Sequence, residues 1–79
     1  MDSTQRLFGP SGFVSQRPDL HPSEPSARHY VREHRRELIE AGALLLHGKQ
    51  WIVRPRVYEQ TVFAIATRRA RRAVGLEPP

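Results

Sequence analysis

The sequence predicts a small α+β fold made of a short helix, an arginine-rich helix, a β-hairpin and a closing helix. Three observations support this prediction. Apolar residues recur at helical spacing after the proline-rich residues 1–25. Gly42 interrupts that pattern, and two short apolar runs then flank a Gly48–Lys49 turn. A second helical pattern follows, beginning at Pro55.

The 79 residues allow one small domain, whose core can hold only a few large side chains. The chain has no cysteine, which excludes disulfides and thiolate metal sites. No apolar run approaches membrane-spanning length, and the N-terminus lacks the basic and apolar segments of a secretory signal. We therefore expect a cytoplasmic protein that does not contact a membrane.

The first helix is expected in a segment interrupted by prolines. The predicted organisation is a flexible N-terminus at residues 1–10, a domain at residues 11–74 and a frayed tail at residues 75–79. Ser11 can cap a helix of one or two turns through residues 12–16, which must end before Pro18. Phe13 and Val14 are then expected to be core residues.

The arginine-rich helix is expected to begin after Ser26, which is a good N-cap residue. The apolar positions that recur at helical spacing are Ala27, Tyr30, Val31, Leu38 and Ala41. Gly42 is expected to end this helix in the left-handed conformation, with Ala43 folding back on Leu38.

Residues 43–46 and 51–54 predict the strands of a hairpin with a type II′ turn, in which Gly48 comes first and Lys49 second. This register sets Leu46 opposite Trp51, Leu45 opposite Ile52 and Leu44 opposite Val53. The face expected to pack on the helices carries Leu44, Leu46, Trp51 and Val53. A two-stranded ribbon alone is barely stable, so this face needs such support.

Pro55 suits the first turn of a closing helix over residues 55–74. Its apolar stripe is predicted to comprise Tyr58, Val62, Ile65, Ala66, Ala70 and Ala73. Its C-terminal end carries Arg68, Arg69, Arg71 and Arg72, where cations also favour the helix dipole. These arginines have two interpretations of equal weight: a solvated helix end, or a clamp for phosphate or for a neighbouring protein.

The charge distribution favours a polyanionic partner. The formal net charge is +5 at pH 7, and all but one of the 13 basic residues are arginine, whose planar fork pairs with phosphate and guanine. Residues 26–74 hold eleven Arg or Lys against four Glu, whereas two Arg face three acidic residues in residues 1–25. The positive charge therefore belongs to the folded part.

The sequence offers no catalytic constellation. It has no Gly-rich phosphate loop and no pair of carboxylates at acid–base spacing, and its serines cluster in the N-terminal third. His29 and His34 lie five residues apart on a helix and point to different faces, so they cannot share a metal ion. We expect no enzymatic activity, no cofactor and no metal.

Arg28, Arg32 and Arg35 form a stripe on the helix, and a hairpin with a basic tip follows directly. This order predicts a small winged helix-turn-helix, whose recognition helix reads the major groove while the wing touches the backbone or minor groove. The expected helix contacts are Ser26, Arg28, His29, Arg32, Arg35 and Arg36, and the expected wing contacts are His47, Gly48, Lys49 and Gln50. Further contacts to the DNA backbone or a partner are expected from Arg54, Arg56, Arg68, Arg69, Arg71 and Arg72. The alternative interpretation of the stripe is a solvated helix face.

The order of elements resembles the small excisionase-like helix-turn-helix proteins of phages and integrative mobile elements. The resemblance covers roughly residues 11–66 and rests on Pro18, the helix RHYVREH, the glycine-to-hairpin segment 42–53 and Val57–Tyr58. It implies a recombination directionality factor that binds duplex DNA, or a regulator of promoters in the mobile element. It also implies cooperative self-association on DNA, a nucleoid location, and an integrase or RNA polymerase as partner.

A function of a different class stays open. Under this alternative, the basic face docks an acidic protein, and the hairpin edge adds a strand to that partner. Binding to random duplex DNA at low and moderate salt distinguishes this interaction module from a DNA-binding protein.

Overall fold

The computed structural model describes residues 3–76, which form three helices and a three-stranded antiparallel sheet. In chain order the elements are β1 (Gln5–Arg6), α1 (Phe13–Gln16), α2 (Glu24–Glu40), β2 (Leu44–His47), β3 (Gln50–Val53) and α3 (Pro55–Ala73). The strand order is β1–β3–β2, so β3 is central. The predicted small α+β fold is thereby confirmed. None of the helices in these residues is long and apolar enough to span a bilayer.

Residues 3–12 belong to the fold, whereas we expected residues 1–10 to be flexible; residues 1 and 2 lie outside the described residues. Strand β1 pairs antiparallel with β3, with Arg6 opposite Ile52. The backbone N–H of Leu7 donates to the Trp51 carbonyl at 3.0 Å, and the Leu7 side chain is fully buried. A strand of two residues is too short to show an alternating pattern in the sequence.

Helix α1 is a single turn that buries Phe13 and Val14 as predicted. Its N-cap is Gly12 rather than the expected Ser11, and it ends before Pro18. A Cβ at Gly12 would lie only 2.6 Å from the Phe8 carbonyl oxygen, so this close approach of two backbone segments requires a glycine.

Helix α2 begins before the predicted N-cap. The hydroxyl of Ser23 accepts a hydrogen bond from the Ser26 backbone N–H at 3.3 Å, so Ser23 is the N-cap and Ser26 lies inside the helix. Pro25 fits the first turn, where its missing N–H costs nothing. The helix is kinked at His34, whose φ of −113° and ψ of 17° are non-helical. The His34 ring lies 4.5 Å from the Tyr30 ring.

Gly42 ends α2 as predicted, with a φ of +79°. Its N–H donates to the Ile39 carbonyl, and the Ala43 N–H donates to the Leu38 carbonyl at 2.9 Å. This pair of bonds is a Schellman motif. The Arg54 guanidinium donates to the Gly42 carbonyl at 2.8 Å, which ties the end of the hairpin to the end of α2.

The hairpin has the predicted register, with Leu44 opposite Val53 and Leu46 opposite Trp51. Gly48 has a φ of +62°, and no non-glycine residue in the described part of the chain has a positive φ, as a type II′ turn requires. Leu44 and Val53 are buried, but Leu46 is 58 % exposed. The prediction that Leu46 packs on the helices is therefore wrong, because the small core covers only the end of the hairpin away from the turn.

Helix α3 starts at Pro55 as predicted and buries Tyr58 and Ile65. Its second half is exposed throughout residues 66–73, as are the residues that follow it up to Leu76. Three residues of the predicted apolar stripe, Ala66, Ala70 and Ala73, are therefore exposed. Gly75, with a φ of +77°, caps the helix, whereas residues 77–79 of the expected frayed tail lie outside the described residues.

One core joins these elements. Its buried apolar side chains are Leu7, Phe13, Val14, Ala27, Val31, Leu38, Ala43, Leu44, Val53, Tyr58 and Ile65. Tyr58 packs edge-on against Phe13 and its hydroxyl lies 2.7 Å from Nε2 of the buried His21. Burial lowers the pKa of His21 and raises that of Tyr58, so both groups are held neutral.

Candidate nucleic-acid interface

A groove runs between α2 and the turn end of the hairpin. It consists of two depressions of about 340 and about 110 Å³ that share Phe8, Arg28 and Trp51. The lining of this basic groove is Arg6, Phe8, Gly9, Glu24, Arg28, Val31, Arg32, Arg35, Lys49, Gln50 and Trp51. Five of these described side chains are cationic and one is a carboxylate. Such a surface attracts anions.

Aromatic rings support two of the groove arginines. The Arg28 guanidinium lies 4.1 Å from the centre of the Phe8 ring, and that of Arg35 lies 5.6 Å from the centre of the Trp51 ring. These distances suit cation–π contacts. Arg28 also pairs with Glu24 at 2.8 Å, across one turn of α2. Side chains from three elements and the segment after β1 therefore build the groove together.

The other groove cations have no counter-charge within residues 3–76. The side chains of Arg6, Arg32 and Lys49 make no hydrogen bond or ion pair with any described residue. Since Arg32 and Lys49 belong to α2 and to the hairpin turn, they present unneutralised charge from both sides of the groove. This arrangement favours a ligand that carries several negative charges.

The opposite flank of α2 is neutralised by its own glutamates. The ion pairs there are Arg36–Glu40 at 3.1 Å and Arg68–Glu37 at 2.8 Å, and Nε2 of His29 lies 3.1 Å from the Glu33 carboxylate. The last pair joins α3 to α2, and the Arg68 guanidinium lowers the pKa of the Glu37 carboxyl. Positive charge is consequently concentrated on the groove side of α2.

The structure brings some of the predicted contact residues together. Those that line the basic groove are Arg28, Arg32, Arg35, Lys49 and Gln50. The predicted contacts outside its lining are Ser26, His29, Arg36, His47 and Gly48, all of which are exposed. The arginine stripe of α2 and the basic hairpin turn thus line the same groove, whereas the remaining predicted helix and wing contacts lie outside its lining.

The predicted backbone or partner contacts lie away from the groove. Arg54 is bonded to the Gly42 carbonyl and so has a structural role. Arg56 is exposed in the first turn of α3. The others, Arg68, Arg69, Arg71 and Arg72, lie on the exposed C-terminal half of α3.

The groove residues without a functional prediction are Arg6, Phe8, Gly9, Glu24, Val31 and Trp51. Arg6 and Phe8 come from the segment that the sequence suggested to be flexible. The apolar pair Leu7–Phe8 is the signal that this segment is anchored, since an unanchored segment needs no such residues. Trp51 was expected in the core, but it is only half-buried and forms part of the groove wall.

No protein-family model, curated protein or solved structure matches this chain at a significant level. Within residues 3–76, no three histidine, aspartate or glutamate side chains are grouped so that they could hold a metal ion. The groove offers positive charge, aromatic surface and the Gln50 amide. These are the chemical groups with which proteins bind nucleic-acid backbones and bases.

Proposed function

We propose that the protein binds duplex DNA through the basic groove, in the manner of a winged helix-turn-helix protein. Helix α2 enters the major groove, and the hairpin turn contacts the neighbouring backbone or minor groove. One observation carries this proposal. Arg28, Arg32 and Arg35 of α2 meet Lys49 of the hairpin in a groove whose only described carboxylate is Glu24.

The groove residues divide into two kinds of contact. Arg32 is exposed and has no partner among the described residues, which suits a bidentate bond to a guanine edge worth roughly 1–3 kcal/mol of discrimination. Arg35, held over the Trp51 ring, and Lys49 suit phosphates, which position the protein without reading sequence. Sequence preference should therefore depend mainly on Arg32.

The biological role that we propose is that of an excisionase-type directionality factor of a mobile element. This role rests on the resemblance in the order of elements, together with the basic groove. Under it the protein acts at the nucleoid, self-associates on DNA and contacts an integrase. Regulation of nearby promoters is an equally natural use of the same surface, with RNA polymerase as the partner.

Binding to a short duplex of random sequence tests the proposal. The fluorescence anisotropy of a labelled duplex should rise on adding protein at about 50 mM salt. If two to five groove cations contact phosphates, the affinity should fall roughly 10- to 500-fold between about 50 and about 200 mM salt. Absence of binding at about 50 mM salt would contradict the proposal. If the duplex is bound, a footprint on the DNA flanking the gene would locate the specific site.

A second candidate function, docking of an acidic protein, is favoured by the free edge of the sheet. The strand order leaves β2 at an edge, with Leu45 and Leu46 36 % and 58 % exposed. Such an edge can accept a strand from a partner. The substitution Leu46→Lys separates the two functions, because a charge there disrupts strand addition whereas DNA affinity stays equal or rises.

A further inference from the structure

One end of the basic groove holds a carboxylate among cations. Arg6, Arg28 and Lys49 line the larger depression, and Glu24 is the acidic residue there. Oε1 of Glu24 accepts hydrogen bonds from Nε and Nη2 of Arg28, at 3.2 and 2.8 Å. Phosphate oxygens bind the guanidinium fork through the same donors. Glu24 therefore occupies the position that a phosphate oxygen would take.

This carboxylate can leave its place. Glu24 and Arg28 are both about half exposed, and an ion pair of that kind is weak in water. The stacking of Arg28 on the Phe8 ring keeps the guanidinium in the groove without help from Glu24. Arg6 and Lys49 have no carboxylate partner among the described residues, so they stay available to a second anion.

We propose that Arg6, Arg28 and Lys49 bind one backbone phosphate of duplex DNA, and that Glu24 fills this site in the free protein until the phosphate displaces it. The inference rests on the proposed function and adds a residue, Arg6, from outside the predicted helix and hairpin. Because each binding event must break the Glu24–Arg28 pair, Glu24 lowers the affinity for all sequences alike. The affinity of the native protein for non-specific DNA is therefore lower than it would be without Glu24.

Glu24→Gln is the first test, with Asp19→Asn as its matched control. Asp19 also forms an exposed ion pair, with Arg17 at 2.9 Å, but lies outside the groove lining. Both substitutions remove one negative charge and one ion pair of an arginine, although Arg17 keeps its second pair with Glu59 at 3.1 Å. On a random-sequence duplex, Glu24→Gln should raise the affinity about fivefold, the effect of removing a competing surface ion pair. Asp19→Asn should change it less than about twofold.

Arg6→Ala is the second test, with Arg17→Ala as its control. Loss of one phosphate contact lowers the slope of log affinity against log salt by about 0.9, and weakens binding roughly eightfold in 0.1 M salt. Arg17 is paired with Asp19 and Glu59 and lies outside the groove lining, so its removal should leave the slope unchanged. Circular dichroism would confirm that each variant is folded.

The outcomes separate this inference from the proposed function. If the wild-type protein does not bind the duplex at about 50 mM salt, the proposed function itself fails. If it binds, but Glu24→Gln matches Asp19→Asn or Arg6→Ala keeps the wild-type slope, the phosphate site is overturned. A gain of equal size in binding polyglutamate on Glu24→Gln overturns the assignment to phosphate, because the site would then accept any polyanion.

Discussion

Two tyrosine hydroxyls in the interior have opposite surroundings. The Tyr58 hydroxyl lies 2.7 Å from Nε2 of His21. The Tyr30 hydroxyl is also buried, but it has no hydrogen-bond partner among the described residues. Burial raises the pKa of both tyrosines, so both keep their protons at neutral pH. A buried hydroxyl without a partner costs stability, whereas a bonded one contributes to it.

Replacing each tyrosine by phenylalanine tests this difference. Tyr58→Phe should lower the free energy of unfolding by about 1 kcal/mol, because it removes a hydrogen bond and leaves His21 unpaired. Tyr30→Phe should leave it unchanged or raise it by up to about 1 kcal/mol. Urea denaturation measures both. A larger loss for Tyr30→Phe than for Tyr58→Phe would show that the Tyr30 hydroxyl is bonded.

His21 makes the stability depend on pH. Burial lowers its pKa in the folded protein below the ordinary value of 6.5. The unfolded chain therefore takes up the proton first as the pH falls, and protonation favours unfolding. The stability that His21 provides is complete above the unfolded-state pKa and declines below it, through the window between the two pKa values.

We expect the free energy of unfolding to fall below about pH 6.5 by up to about 1.4 kcal/mol per pH unit from this one group. His21→Gln should flatten this decline, while His47→Gln, at an exposed position, should leave it as in the wild type. Urea denaturation at pH 7.5, 6.5 and 5.5 provides the comparison, with the three values chosen to bracket the histidine pKa. Equal declines in the wild type and His21→Gln would contradict the assignment.

At the scale of the elements, local signals decide where the helices and the hairpin lie. Gly42 and Gly48 adopt the positive φ values that their places in the pattern require, and Pro55 opens α3. Each of these signals acts within a few residues, so the sequence reveals it. The end of α2, the hairpin register and the start of α3 were predictable for this reason.

The features that the sequence did not reveal depend on packing between distant residues. Arg6 pairs with Ile52 across the sheet, and Leu46 is exposed because the core ends before the hairpin turn. The residues next to Arg6 and Leu46 in the sequence give no sign of the strand pairing or of the exposure. The basic groove was predictable only in part. The arginine stripe of α2 appears in the sequence as a helical periodicity, whereas the contribution of Arg6 and Phe8 to the groove does not.

Substitutions at Gly48 test the backbone conformation of the hairpin turn. Its φ of +62° is strained for residues with a Cβ, although a Cβ there would meet no other atom within 4 Å. Gly48→Ala should therefore lower the free energy of unfolding by about 1–2 kcal/mol through backbone strain alone. Gly48→Asn should cost less, because asparagine tolerates this conformation. Chemical denaturation measures both, and equal stability of Gly48→Ala and the wild type would contradict the turn geometry.

At the scale of the whole molecule, the basic groove and the arginine-rich C-terminal half of α3 lie on different sides of α2. The groove contains five cations and one carboxylate, whereas Arg68 of α3 is paired with Glu37 on the other flank. Arg69 and Arg72 lie on the exposed half of α3 beyond that pair. Under the proposed function, DNA binds the basic groove, and the exposed half of α3 has no essential part in DNA binding.

Two double variants of equal net charge test this assignment most directly: Arg35→Ala with Lys49→Ala in the groove, and Arg69→Ala with Arg72→Ala on α3. Each removes two positive charges, so long-range attraction to DNA falls by a similar amount in both. In 0.1 M salt the groove variant should bind random duplex roughly 60-fold more weakly than the wild type, the effect of two lost phosphate contacts. The α3 variant should lose no more than about threefold. Equal losses, or a larger loss for the α3 variant, would contradict the assignment of DNA binding to the basic groove.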